Sequence, residues 1–556
     1  FFFIMSVYLL QEKTLISDAS VMVKVNNKTV LINCPGGLQR LVNSWGIGFN
    51  EITCIVLTSD KPGNLEGLLG LLMTRAQSQE ALKCKIITPT NFPLLGNLNS
   101  YAIDKIFDGE FIQCIDDVEF FDDQFSVLCS NYDNKLNVTV RPSLEIVNFD
   151  QQKLKQLGIN GKMMKELNQS GQITLNNQTY NKEELSSKST CGQFQLISSA
   201  APTYTGNAHP SLLLNVSSQA IQIENHKEIQ QFDQRYPIKD FSAFYKTQTG
   251  SEFPGAGYEV QLHQLFPPKQ FGKQPYQVAE KEKSYEKLNL LQIYNEEKDF
   301  ILLLGTGASV PNKYNNVSAQ LLKLAGQFIL VDCGEATLQQ ILRSEISFDQ
   351  LKDLVILVTH EHADHFLGLA ALMNHFFVIF GTFPRVYCDK LVKSFLENCG
   401  ITGKVFTNQP GEFLLTLGGN QMQNEQIENK HLQENELNIF SVKSDHTEHS
   451  VSYIIQSPSV QVVFSGDTRP FDQFSRLKKM KTVIVHEGTF TAAQQEEAVQ
   501  RKHSAVEEVI AAVEKFREEA EVKLIVTHFS QRICKEKVCP DVDWIVQGYD
   551  FAKIGI

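Results

Sequence analysis

The 556-residue chain has no CxxC pair among its 11 cysteines, no excess of positive charge and no apolar leader of membrane-spanning length. Its cysteines are scattered, and Cys34 and Cys333 fall inside apolar strand-like runs. A disulfide framework is therefore not expected, and the thiols read as buried groups of a reducing compartment. A formal charge of −12 argues against a protein that grips nucleic acid over its whole surface, because phosphate binding leaves a basic footprint. Bound divalent cations or one local basic arm escape that sum. The opening Phe1 to Leu10 stretch is apolar but lacks a basic flank and falls short of the roughly 20 residues of a membrane helix. It is expected to form a first core strand, and no membrane contact is expected. Because the chain opens on Phe and not Met, the N-terminus reads as incomplete, which leaves nucleus, mitochondrion and cytoplasm open as compartments.

What is present fits a globular protein: 42% hydrophobic and 21% charged residues. At roughly 100 to 250 residues per domain, this length predicts at least two domains. A large-period repeat supports that division. Residues 21–71 (VMVKVNNKTVLINCPGGLQRLV, then ITCIVLTSDKPGNLEGLLGL) match residues 319–372 (AQLLKLAGQFILVDCGEATLQQIL, then LVILVTHEHADHFLGLAAL) in pattern and often in identity. Each copy reads strand, strand, Cys-Gly turn, helix, strand, loop, helix. The loops follow the apolar strands Ile55 to Leu57 and Val355 to Val358, where α/β folds place active sites. Aligning Thr58 with Thr359 sets His360, His362, Asp364 and His365 against Ser59, Lys61, Gly63 and Asn64. The first copy has lost every candidate ligand, so it is expected to hold no metal and to serve packing or substrate binding. The stretch from Leu265 to Asp299, rich in Pro, Gln and charge, reads as a linker. The expected organisation is 1–264, linker 265–299, and a catalytic unit 300–556. The polar segment Gly418 to Asn438 reads as a surface insertion.

His360-Glu361-His362-Ala363-Asp364-His365 directly follows a β-branched strand and offers four ligand side chains within six positions. Imidazole nitrogens and carboxylate oxygens suit zinc, which lowers the pKa of a bound water to about 7. A two-metal site needs more ligands, and the same strand-then-ligand layout recurs at Phe464-Ser465-Gly466-Asp467 and at Thr527-His528. Alone, each reads equally well as an Asp turn or an isolated His. Of His446 and His449, just before the strand from Tyr453 to Gln456, one is a candidate ligand; spacing leaves the choice open.

These motifs resemble those of the tRNase Z enzymes, in their long two-domain form, within the metallo-β-lactamase superfamily. The HxHxDH loop marks only the superfamily. More specific are Leu304-Gly305-Thr306-Gly307, Pro311-Asn312-Lys313-Tyr314-Asn315-Asn316, His486-Glu487-Gly488-Thr489, His503-Ser504-Ala505 and His528-Phe529-Ser530-Gln531-Arg532. They are similar to the family's glycine turn, PxKxRN loop, HEAT loop, HST loop and last metal motif. The resemblance implies an α/β fold of two tandem αββα sandwiches, the N-terminal one degenerate. It implies one zinc held by His360, His362, His446 and Asp467, and a second by Asp364, His365, Asp467 and His528, with manganese or another divalent metal as alternatives. It prefers His446 over His449, and it makes Glu487 the partner of a general acid, His503. It implies removal of the 3′ trailer from precursor tRNA, leaving a tRNA 3′-OH and a trailer 5′-phosphate, with Asp364 orienting or deprotonating the attacking water and a His503 of near-neutral pKa protonating the leaving oxygen.

Three positions depart from the family pattern: Asn315 for Arg, Gly488 for Ala and Ala505 for Thr. None removes a ligand, but Asn315 cannot bring a charge to a phosphate. Lys313, Lys153, Lys155, Lys162 and Lys165, the last four around Leu157-Gly158-Ile159-Asn160-Gly161, are candidate substrate contacts, Gly161 included. With the hairpin-like Gln172 to Gln178, residues 145–190 resemble the family's tRNA-gripping arm, which would recognise shape and not sequence. Precursor tRNA is the expected partner, and internal duplication predicts a monomer. Two rivals remain at this stage: a hydrolase of a small ester or thioester on the same fold, and a catalytically silent RNA-binding scaffold.

Overall fold

The computed structural model describes residues 299–556 except 313, 345, 409–412, 419–432 and 434. Before residue 299 it describes 5–11, 20–25, 27–44, 48–76, 83–89, 109–142, 145–175, 178–182, 184–190, 194–197, 212–215, 220–223 and 258–261. The linker segment 265–298 and most of the 418–438 insertion lie outside the described residues.

Val- and Ile-rich segments buried on both faces build two seven-stranded sheets in the C-terminal half. In the first, Gln327–Val331, Val355–Leu357, Arg385–Cys388 and Val405–Thr407 run parallel. In the second, Gln461–Phe464, Thr482–Glu487, Val522–Thr527 and Ile545–Gln547 do so. The sheets face each other across a core that includes Ile301, Ile329, Tyr453, Phe464 and Ile525. Each such side chain contributes about 1.5 to 3 kcal/mol on burial. The helices Thr337–Arg343 and Leu369–Phe380 cover the first sheet, and Val506–Arg517 covers the second, giving four αββα layers. The helical stretch Ala363–Phe380 is apolar enough by composition to cross a membrane, but its Leu369, Leu372, Met373 and Phe376 are buried in the apolar cluster between the helices and the first sheet.

The N-terminal half repeats the plan. A six-stranded sheet from Met5–Gln11 to Gly109–Cys114 follows chain order, and a second sheet of seven strands runs between Asp117–Phe121 and Tyr258–Gln261. The expected first strand is thus present at Met5–Gln11. The local likeness extends to side chains. Asp332 and Asn33, both in the left-handed region (φ 60° and 61°), each accept the backbone N–H and hydroxyl of the following threonine, Thr359 or Thr58. Where the C-terminal copy carries His365, Asn64 instead donates to Ser59 Oγ at 2.8 Å. Cys34 and Cys333 lie just past their strands and not within them, and among the described residues every cysteine is a free thiol.

The halves share one apolar cluster running from Leu38, Leu68 and Leu72 to Leu338, Leu372 and Phe376. Buried polar contacts cross the same interface: Gln39 Nε2 donates to Glu335 Oε2 at 2.7 Å, and Arg40 pairs with Asp550 at 3.1 Å. Residues 145–190 form a separate projection. Glu145–Phe149 pairs antiparallel with Ser186–Thr190 as a stalk. Beyond it, two helices (Gln151–Gln156, Gly161–Ser170) and a hairpin (Gln172–Leu175 with Gln178–Asn181) close on Leu154, Leu167, Ile173 and Leu185.

Candidate active site

The parallel strands of both sheets end at one rim, and the ligand candidates sit just beyond those ends. His360 follows Val355–Leu357, Asp467 follows Gln461–Phe464, Glu487 closes Thr482–Glu487 and His528 follows Val522–Thr527. Parallel pairing puts the ends of the last three strands side by side, and the facing sheet brings His360, more than a hundred residues earlier in sequence, to within 3.6 Å of Asp467. Gly466 (φ 57°) lets the chain turn into Asp467; a Cβ there would lie 2.8 Å from the Thr359 Cβ. His528 itself takes φ 60°, a conformation costing about 1 to 3 kcal/mol for a residue with a Cβ.

Two ligand groups that share no residue result, and a third, Asp467, His503 and His528, overlaps both regions. His360, His362, His446 and Asp467 have ligand atoms within 4.8 Å of one another, as do Asp364, His365 and His528. Asp467 lies between the groups, with Oδ2 3.3 Å from His365 Nε2 and Oδ1 3.3 Å from His528 Nε2. His449 is in neither group. Among the described residues, all such groups are in the C-terminal half.

Hydrogen bonds behind the imidazoles set their tautomers. The Thr359 hydroxyl donates to Asp332, so it accepts from His360 Nδ1 at 3.0 Å. His365 Nδ1 donates to Asp332 Oδ2 at 2.7 Å. His446 Nδ1 donates to the Lys502 carbonyl at 3.0 Å. The Thr489 hydroxyl donates to Glu487 Oε2, so it accepts from His528 Nδ1 at 2.9 Å. In the neutral forms, all four Nε2 lone pairs therefore point inward. His365 and His528 Nε2 face each other at 3.3 Å, and the buried Asp467 Oδ1 has no hydrogen-bond partner. Lone pairs converging around a carboxylate make a donor set that fits divalent metal ions. Burial, with the neighbouring His365, holds the His360 pKa well below the usual range and keeps its lone pair available. Burial would also lower that of His365, but Asp467, Asp332 and Asp364 push it well up, a mark of excess negative charge.

A second arrangement adjoins the first. His503 Nδ1 lies 2.9 Å from Glu487 Oε1, and the buried Glu487 also accepts the N–H groups of Thr468, Thr489 and Ser504. Burial opposes protonation of His503, but the Glu487 carboxylate outweighs it and, with Asp467 and Asp364, raises the pKa to about 9. This corrects the near-neutral value expected from sequence; the reason is the fully buried carboxylate partner. His486, the preceding residue of that motif, faces away: its Nδ1 donates to the Glu487 carbonyl and its Nε2 accepts the Phe471 N–H.

Both groups open on a cavity of about 420 Å³ lined by His362, Asp364, His446, Asp467 and His503, and also by Gln39, Met73 and Thr74 of the N-terminal half. Asn315 does not face it: the side chain is 5% exposed and its Nδ2 donates to Thr306 Oγ1 at 2.7 Å. Lys313 lies outside the described residues. Lys153 and Lys155 are exposed on the projection, while Gly161, Lys162 and Lys165 lie on its second helix. Asp332 and Thr489 had no role assigned from sequence; the one available signal was the strand-end Asp332 matching Asn33 in the repeat.

The model of the family described as anti-Pycsar protein Apyc1 matches residues 300–539. Ribonuclease Z of Bacillus licheniformis is 31% identical over 287 residues, covering 44% of this chain and 92% of that protein. The mitochondrial ribonuclease Z of Drosophila melanogaster is 29% identical over 327 residues, covering 52% of this chain but only 38% of its own length. Among solved structures, a long-form RNase Z from yeast superposes with a TM-score of 0.58 at 14% identity, covering 100% of this chain and 98% of that one, a likeness of fold.

Proposed function

This chain belongs to the ribonuclease Z family of the metallo-β-lactamase superfamily, and from that premise we propose that it is an endoribonuclease that removes the 3′ trailer from precursor tRNA. The observation that carries the reading is one carboxylate, Asp467, set between two inward-facing imidazole groups and next to the Glu487–His503 pair. Two zinc ions, held by His360, His362, His446 and Asp467 and by Asp364, His365, Asp467 and His528, would supply an acidified water and neutralise charge on the phosphate.

The chain's own groups do the rest. Asp364, whose Oδ2 accepts the Ser309 N–H at 2.6 Å, stays ionised and orients the water, which gives up one proton to solvent for in-line attack while His503 is reprotonated from solvent after each turnover. As the P–O3′ bond breaks, His503 gives its Nε2 proton to the departing 3′ oxygen, while Glu487 at Nδ1 holds the ring and stabilises its charge. The water oxygen stays on the trailer as a 5′-phosphate, and the tRNA leaves with a 3′-OH. Lys313 binds backbone phosphate near the cut, and the projection carrying Lys153, Lys155, Lys162 and Lys165 grips the tRNA body. One chain suffices, because the duplication supplies both halves. For compartment, similarity to the mitochondrial fly enzyme favours the mitochondrion.

The test is cleavage of a 3′-extended precursor tRNA by the purified chain with zinc or manganese, beside His362→Ala and Lys61→Ala. A cut next to the discriminator base, abolished by the first change and kept by the second, supports the reading. A metal-loaded wild type that cleaves small chromogenic esters but not the precursor sinks it.

A further inference from the structure

Arg40 belongs to the N-terminal half, on the Leu38–Ser44 helix, yet its guanidinium works inside the other half. Its side chain is 2% exposed. Nη1 donates to Asp550 Oδ2 at 3.1 Å, and Nη2 to the Tyr314 carbonyl at 3.4 Å. Three residues on, Asn43 Nδ2 donates to the Pro311 carbonyl at 3.2 Å. Both carbonyls belong to the Pro311–Asn316 loop, the segment that includes Lys313.

Asp550 is where that loop meets the glycine turn. It accepts the Thr306 N–H and hydroxyl at 3.1 and 2.9 Å, the Asn316 N–H at 2.7 Å and Gln340 Nε2 at 3.1 Å. Gln340 is the repeat counterpart of Arg40, so the duplicated helices both donate to Asp550 Oδ2. The loop is also organised internally, since Asn312 Oδ1 accepts the N–H groups of Tyr314 and Asn315. On its far side, the Lys535 ammonium sits 4.4 Å from the centre of the Tyr314 ring. Next to Arg40, Gln39 lines the catalytic cavity and accepts the Thr74 hydroxyl at 2.6 Å.

Packing alone does not account for an arginine here. Burying a guanidinium is costly, and an apolar side chain of similar volume often serves stability equally well or better. A planar fork with donors at fixed angles suits a different task, holding a carboxylate and a loop carbonyl in one geometry.

We propose that Arg40 and Asn43 are positioning residues: the N-terminal half holds the Pro311–Asn316 loop of the C-terminal half in the form that receives the RNA phosphodiester backbone. The emptied domain is then a working wall of the active site. This rests on the phosphodiester-cleavage reading above.

Arg40→Lys and Asn43→Ala test it, the first keeping the charge and the second removing one donor from a half-buried side chain. Hydrogen exchange of the 309–316 amides reads the tie itself, and steady-state kinetics on the precursor read its use. Exchange in the loop should quicken in both variants. KM for the precursor should rise about three- to tenfold per variant, the worth of one lost hydrogen bond, with kcat and metal content changing far less. Unchanged loop exchange, or a precursor KM within about twofold of wild type in both variants, overturns the proposal. Parallel loss of kcat, metal and thermal stability also overturns it, since that is the signature of a merely structural residue. A wild type inactive on precursor RNA fails the functional reading instead, and loop exchange still decides whether the tie exists.

Discussion

Glu335 is buried between the halves at 3% exposure, where its Oε2 accepts Gln39 Nε2 and its Oε1 has no hydrogen-bond partner. Burial, with a smaller push from the nearby Glu66 carboxylate, raises its pKa from 4.5 to about 7 against the opposing bonds from Gln39 and Gly37. A carboxyl with a raised folded pKa is held protonated by the fold. Its cost is therefore absent below the unfolded pKa, grows as pH rises through the interval up to about 7, and is complete above it. At 1.36 kcal/mol per unit, the shift corresponds to about 3 kcal/mol at pH 8 and about 1 kcal/mol or less at pH 5. Glu335→Gln keeps the volume and an oxygen acceptor for Gln39 but cannot ionise. The variant should therefore be more stable than wild type by up to about 3 kcal/mol at pH 8, a midpoint gain of roughly 5 to 10 °C for a unit of this size, and should gain little at pH 5. Thermal unfolding at the two pH values, at equal metal content, measures it. An equal gain at both values, or a loss at pH 8, would refute the argument that ionising this carboxylate strains the interface.

Asp467→Asn should lower bound metal at both ligand groups together, as elemental analysis after dialysis would read, whereas loss from one group alone would remove the bridging role. His503, with its raised pKa, is protonated at neutral pH and loses its proton as pH rises through about 9. The alkaline limb of the pH–rate profile should therefore move toward neutrality in Glu487→Gln; an unmoved limb would exclude His503 as the acid. Lys153→Ala with Lys155→Ala should weaken precursor binding and reduce the slope of log K against log salt by about 0.7 to 0.9 per lysine that contacts phosphate. An unchanged slope would take the projection out of RNA binding.

Local patterns were legible because they need only a few neighbouring residues. Four ligand types in His360 to His365 sit on a single loop, and a strand before a loop reads from β-branched residues alone. The repeat was legible for the same reason, as like strands and turns recur in like order, and with it came the loss of ligands at Ser59, Lys61, Gly63 and Asn64. Spacing could not choose between His446 and His449, nor pair Glu487 with His503; family resemblance proposed those choices, and the folded chain places each proposed group at the rim.

Tertiary structure decided the rest. Which lone pair each imidazole presents depends on Asp332, Thr359, Thr489 and the Lys502 carbonyl, which lie behind the rings and carry no ligand signature of their own. The raised pKa of His503 comes from a carboxylate that only folding buries beside it. Asn315, an uncharged stand-in for arginine when read along the chain, is a buried donor to Thr306 in space. Arg40, an unremarked residue of a helix in the emptied copy, reaches the other half because the two copies pack their corresponding helices into a shared core. Sequence carries the chemistry available at each position and the period that sets an element's inward face. Burial, proton placement and the meeting of distant loops arise only when strands pair and halves dock, because each depends on neighbours far away along the chain.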